Sequence, residues 1–215
     1  MITFDIETLR TTDAEVIEQL RLTIKPTATH KKQETIDAWM AENAASALDD
    51  LIEKTSFDGM LGSIACISWQ HNDGEVFSTM PNESEGDKIQ HFYDSVSAYK
   101  DGNFCGHNIA GFDLPFLKHR SIILSIKPPA MLLEAMSAKP WDSCIFDTML
   151  MWSSDSQKRA SMDKLCRALG IAGKGDFDGS MVNNEWVNGD RNKVIEYCKD
   201  DVIRTREIYK RISFS

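Results

Sequence analysis

Asp5 and Glu7 interrupt the first apolar run of the chain, MITFDIETL, and no other pair of residues constrains its folding as much. The run is rich in β-branched and aromatic residues, which reads as a strand, and residues two apart on a strand share a face. Asp5 and Glu7 therefore stand together while Phe4 and Ile6 point the other way. Neighbouring like charges repel. Two arrangements relieve the repulsion: a solvated face on an edge strand, or a divalent cation that draws further oxygen ligands from elsewhere in the chain.

The 215 residues suit one α/β domain, 1–215, and 42% hydrophobic content is enough to fill its core. No early segment resembles a signal peptide, and no run of about 18 apolar residues could span a bilayer. A soluble chain with no membrane partner is expected. The five cysteines are scattered and form no C-x-x-C pair, which points to reduced thiols in a cytoplasmic setting. A formal charge of −9 argues against a passive nucleic-acid coat. It stays compatible with an enzyme acting on nucleic acid, because cations bound by carboxylates offset part of that charge locally.

Along the chain, MITFDI, MLGSIACISWQ, EVFSTM and NFCGHN read as strands, and HNDG (71–74) is the turn of a hairpin between the second and third. Residues 25–55 read as an insertion lying against the core, helical from about Glu34, where Ile36, Met40, Ala44, Leu48, Leu51 and Ile52 recur at helical spacing. Further helices are expected over 82–102, from Gly111 onward with Pro115 in the first turns, over MLLEAMSA, and over FDTMLMW, SMDKLCRALGI and 190–212. This order describes a central mixed β-sheet flanked by helices, with an antiparallel meander preceding the parallel strands.

Two later segments carry further acids. In EYCKDD (196–201), Tyr197 and Asp201 are four apart on one helical face, and Asp200 lies near it; spacing alone does not choose between the two aspartates. In CGHNIAGFDLPFL (105–117), Asp113 sits between Phe112 and Leu114 where a strand gives way to a helix. There it either seeks a partner or cation in a buried setting, or caps the helix.

The segments FDIET, NIAGFD and YCKDD, in this order, resemble the three motifs of DEDD-type 3′-5′ exonucleases: D-x-E, N-x₃-[FY]-D and Y-x₃-D. The tyrosine places the chain with the tyrosine subclass (DEDDy); the histidine subclass would carry His where this chain has Glu196. GHNIAGFDLPFLKHR is similar to the second motif of family B DNA polymerase proofreading domains. KPWD (139–142), FDTMLMW, DGSMV and YCKDDV resemble stand-alone predicted exonucleases related to those domains.

The resemblance implies a ribonuclease H-like fold and a two-metal-dependent 3′-5′ exonuclease. It selects Asp201 over Asp200, and makes Asp5, Glu7, Asp113, Tyr197 and Asp201 the catalytic set, with the four carboxylates as metal ligands. Four hard oxygen donors with no Cys or His suit two Mg²⁺ ions, with Mn²⁺ as a substitute. The implied roles are Asp5 bridging both ions, Glu7 and Asp201 holding the ion that carries the attacking water, Asp113 supporting the other, and Tyr197 orienting that water. Thr8, Leu9, Asn108 and Phe112 are the expected substrate contacts, although Asn108 could equally close its turn. Lys118, His119, Arg120, Lys158 and Arg159 are candidate phosphate contacts or ordinary solvated bases. Asp147 is expected to be structural.

The implied substrate is a single-stranded DNA 3′ end. A ribonuclease of the same subclass and a non-catalytic nucleic-acid-binding module on the same fold are the alternatives. With no polymerase motifs beside the three segments, a separate replication or repair protein is a possible partner.

Overall fold

β1 (Ile2–Leu9) is the middle strand of a five-stranded sheet ordered β3-β2-β1-β4-β5, with β2 at Ser63–His71, β3 at Val76–Ser78, β4 at Phe104–Gly106 and β5 at Ile145–Asp147. The computed structural model describes residues 1–215 except 27, 28, 30, 31, 101, 140, 141, 154–158 and 174. β1, β2 and β3 form the antiparallel meander, and β4 and β5 run parallel to β1. A central position excludes the solvated edge strand as the explanation of Asp5 and Glu7. Asp5 pairs with Ser68 and Glu7 with Cys66, after which the register shifts before Thr8.

Alternation along β1 sets the two faces. Phe4 and Ile6 join Trp69, Phe92 and Phe104 in a core covered by α3 (Glu85–Ser97) and α4 (Asp113–Ile123). On the opposite face, Cys66 and Leu9 pack against α8 (Val182–Asn188) and α9 (Arg191–Ser213) through Val182, Trp186, Val194 and Cys198. With both faces covered, β2 reads as a continuous apolar run. Three shorter helices complete the periphery: α5 (Ala130–Ala135), α6 (Thr148–Trp152) and α7 (Met162–Leu169).

Among the described residues, the segment 25–55 holds the helix expected there, and another helix precedes it. α1 (Ala14–Thr23) is capped by Asp13, whose carboxylate accepts from the Glu15 and Val16 amides, and α2 spans Gln33–Lys54. The pair does not lie along the core, since α1 buries no residue and α2 buries only Leu48. A 3₁₀ turn, Thr55–Phe57, joins it to the sheet. FDTMLMW also differs from its expected single helix, because its first residues complete β5. Three residues are too few to show a strand's alternation, and Asp147 both ends β5 and caps α6. The hairpin, α3, α4, α5, α7 and α9 occupy their expected segments.

Tyr93 ties α3 to α4. Its hydroxyl meets Ser121 Oγ at 2.5 Å, and Ser121 in turn donates to the Leu117 carbonyl at 2.7 Å, so Tyr93 is the donor. Burial pushes this phenol from 10.0 up to about 12. A group that ionises later in the folded state contributes stability fully below pH 10, and loses it as pH rises toward 12. Thermal unfolding followed across that window should show a falling midpoint, with a shallower fall in Tyr93→Phe.

Candidate active site

Asp5, Glu7, Asn108, Phe112, Asp113, Tyr197 and Asp201 line one open cleft of about 290 Å³. Three distant segments supply them, and local structure explains why each arrives. β1 aims Asp5 and Glu7 at the α9 side of the sheet. α9 presents Tyr197 and Asp201 one turn apart on the face that packs against β1 and β2, while Asp200 points outward with 57% of its side chain exposed. Asp113 is the first residue of α4; Phe112, not Asp113, occupies the cap position. The Asp113 carboxylate is used elsewhere, accepting the Ile6 backbone N–H at 3.2 Å and so fastening the start of α4 to the middle of β1.

The electrostatics follow from burial. Asp113 is 2% exposed, and desolvation, offset partly by backbone N–H groups and reinforced by the charge of Asp147, raises its carboxyl to about 7. Burial raises the Tyr197 phenol too, strengthened by the charges of Asp201, Glu7 and Asp5 and by its hydrogen bond to Asp201. Its proton therefore stays on oxygen at neutral pH. Arg204, 11% exposed, donates to Asp201 Oδ1 at 2.8 Å and to Asp200 Oδ2 at 3.2 Å, fixing the Asp201 carboxylate from behind.

A thiol also reaches the site. Cys198 Sγ lies 3.4 Å from the Asp5 carbonyl oxygen and 3.6 Å from its carboxylate Oδ2. Asp5, Glu7 and Cys198 form a group of potential ligands lying within 4.8 Å of one another. The expected metal ligands included no cysteine, and here a thiol stands beside two of the four carboxylates. Burial, with the Cys66 hydrogen bond and the nearby carboxylates, holds the Cys198 thiol well above its ordinary value, so it acts as a donor to Asp5. Asp113 and Asp201 line the same cleft outside that close group.

Asp147 organises the loop that carries Asn108 and Phe112. Its carboxylate accepts from the Asn108 and Ala110 amides at 3.0 and 3.1 Å, and from Met149 and Leu150 at 3.0 and 3.3 Å. Asn108 takes a left-handed φ of 65°, and its carbonyl accepts from Gly111 and Phe112. A Cβ on Gly111 would lie 2.6 Å from Asn108 Oδ1, so a side chain there would displace the Asn108 amide group. Asn108 thus closes the turn through its backbone and also lines the cleft.

Other expected contacts lie apart. The Thr8 hydroxyl donates to the Ser56 carbonyl at 2.6 Å, and Leu9 lines a separate cavity of about 370 Å³ with Met60, Arg120 and Val187. Neither lines the carboxylate cleft. Arg120 is held by Glu85 through two bonds of 2.8 and 2.9 Å. Lys118, His119 and Arg159 are exposed, while Lys158 and the centre of KPWD fall outside the described residues. Sequence reasoning passed over Arg204 and Cys198. Arg204 had a signal in its i,i+3 spacing from Asp201, whereas Cys198 meets Asp5 across 193 positions, for which no local pattern exists.

A family model described as "Predicted 3'-5' exonuclease related to the exonuclease domain of PolB" matches residues 57–215. Among solved structures, the family B DNA polymerase from the hyperthermophilic archaeon Pyrobaculum calidifontis matches 98% of this chain with a TM-score of 0.59 and 15% identity. The chain covers 24% of that polymerase's length, and the likeness shows a shared ribonuclease H-like fold. No curated protein matches. Among the described residues no helix is long and apolar enough to cross a membrane.

Proposed function

Because the chain belongs to the family of predicted 3′-5′ exonucleases related to the exonuclease domain of PolB, we propose that it is a metal-dependent exonuclease of the tyrosine DEDD subclass, acting over 1–215 as one domain. On this reading it removes nucleotides from single-stranded 3′ ends of DNA. The observation that carries the reading is the convergence of Asp5, Glu7, Asp113, Tyr197 and Asp201, drawn from both ends and the middle of the chain, on one cleft.

The donor set fits two Mg²⁺ or Mn²⁺ ions. Asp5, Glu7, Asp113 and Asp201 offer hard oxygens, and a carboxyl as deeply buried as Asp113 favours its charged form only beside positive charge. Bound there, such ions supply positive charge to both the attacking and the departing oxygen of a phosphodiester. The chain's own residues do the rest. Arg204 fixes Asp201, the Ile6 amide fixes Asp113, and the Cys198 thiol supports Asp5. Tyr197, protonated, positions the attacking water and does not remove its proton. Tyr197→Phe should therefore lower turnover by about tenfold to a hundredfold and leave measurable activity, which single-turnover kinetics would check.

DNA is favoured because the matching fold is that of a DNA polymerase. The proposal is tested by incubating the protein with 5′-labelled single-stranded DNA and RNA in Mg²⁺, Mn²⁺ or a chelator. Stepwise shortening of DNA with either ion, and none in chelator, is expected. Faster shortening of RNA would assign a ribonuclease, and binding without shortening in any ion would assign a non-catalytic module.

A further inference from the structure

α4 ends in an apolar run that the core does not take up. Ile122 and Ile123, its last two residues, are 66% and 50% exposed. Ser125, with a left-handed φ of 57°, turns the chain out of the helix, and the Ile126 amide donates back to the Ser121 carbonyl at 2.9 Å. Pro128 and Pro129 stiffen the next turn, and the Leu132 and Leu133 amides, both donating to the Pro129 carbonyl, start α5. Between the two helices lies an open groove of about 300 Å³.

Lys118, Ser121, Ile122 and Ser125 recur at three- and four-residue spacing and so form the α4 wall of this groove. Leu133, 41% exposed, stands on the α5 side, and Ile126 and Met136 pack against the core beneath. The Ser121 hydroxyl is already engaged with Tyr93 and the Leu117 carbonyl. What remains is aliphatic surface rimmed by Lys118 and Lys127. Among the described residues no acid and no aromatic ring lines it, and neither lysine enters an ion pair.

On a chain of 33 acidic and 24 basic residues, such a place is the reverse of the surface at large. Exposed aliphatic side chains gathered around a concavity mark an interaction surface, unlike hydrophobics scattered singly. The unpaired lysines then choose the partner by charge, since an acidic segment gains from both and a basic one is repelled. Nucleic acid fits worse, because single strands are gripped by aromatic stacking along a track of cations. We propose that this groove docks a segment of another protein in which two large aliphatic side chains lie between acidic residues. At 1.5 Å per residue α4 separates Ile122 from Asp113 by about 13 Å, so an occupant leaves the carboxylate cleft open. The proposal does not rest on the exonuclease reading, because binding is measured without hydrolysis.

The probe is a fluorescein-labelled peptide carrying two leucines between aspartate flanks, followed by anisotropy against the full chain, with versions whose aspartates become lysine or whose leucines become serine. The acidic leucine peptide should bind, and each altered peptide should bind at least about tenfold more weakly. Ile122→Ser and Leu133→Ser should each weaken the acidic peptide by about tenfold. Lys127→Glu should weaken it too and strengthen the lysine-flanked peptide, a reversal that apolar contact alone would not produce. All three side chains are exposed, so these variants should keep the wild-type thermal midpoint. No binding of the acidic leucine peptide, equal binding of all three peptides, or binding unchanged in Ile122→Ser and Leu133→Ser overturns the proposal. A labelled deoxyoligonucleotide whose affinity falls in Ile122→Ser and Lys127→Glu, while the peptide does not bind, overturns it in favour of nucleic acid. Self-association that Ile122→Ser abolishes in sedimentation, again without peptide binding, overturns it in favour of a second copy of this chain.

Discussion

Asp5→Asn is expected to lower hydrolysis of single-stranded DNA by at least about a thousandfold, the loss that follows when several kcal/mol of charge stabilisation disappear. The substitution keeps the size and shape of the side chain, and the Asp5 backbone carbonyl still faces the Cys198 thiol. What it removes is one negative charge beside Glu7 on the central strand of the sheet. Two like charges on one strand face oppose folding, so the thermal midpoint of Asp5→Asn should equal or exceed that of the wild type. That opposite movement of activity and stability separates a site held under charge repulsion from a structural residue. A variant that lost activity and stability together would place Asp5 among ordinary supports of the fold.

Asp147→Ala is expected to act in the other direction, through the scaffold. One buried carboxylate, 2% exposed, serves four backbone amides: two in the loop that carries Asn108 and Phe112, and two at the start of α6. Its removal leaves those donors without their acceptor and destroys the α6 cap, at a cost of about 3 to 4 kcal/mol. For a chain of this length the thermal midpoint should fall by about 10 °C. Activity should fall as well, because the loop leads directly into Asp113. Calorimetry with an assay at a temperature where the variant remains folded would check both effects. A midpoint unchanged within error would show that water or a neighbouring group replaces this carboxylate easily.

Much of this architecture was legible in the sequence for identifiable reasons. Alternation along FDIET placed Asp5 and Glu7 on one face, and four-residue spacing placed Tyr197 and Asp201 on another, because both depend only on the local backbone period. The antiparallel meander was legible from its turn signal, and β4 from the short run NFCGHN between two helical segments. β5 was not, since Ile145–Asp147 is too short to display a period. α1 escaped as well, although Asp13 two residues before Glu15 is an ordinary capping signal.

The aspartate choice at 200 and 201 depended on how α9 is rotated against β1 and β2, which no helical pattern reveals. Thr8 and Leu9 were drawn toward the cleft by their nearness to Glu7. The register shift after Glu7 turns the strand there, and the 3₁₀ turn then captures the Thr8 hydroxyl. Cys198 against Asp5 and Arg120 against Glu85 are meetings of tertiary structure that spacing could not announce.

The central claim is that four acidic side chains from distant parts of the chain hold a pair of divalent cations over one scissile linkage. Crystals of the wild-type protein grown with manganese, with data collected at the metal's absorption edge, test it most directly. The account predicts two anomalous peaks in the cleft, both touched by Asp5, with Glu7, Asp113 and Asp201 completing their protein ligands. Manganese bound elsewhere, or a cleft in which those carboxylates contact no ion, would contradict it.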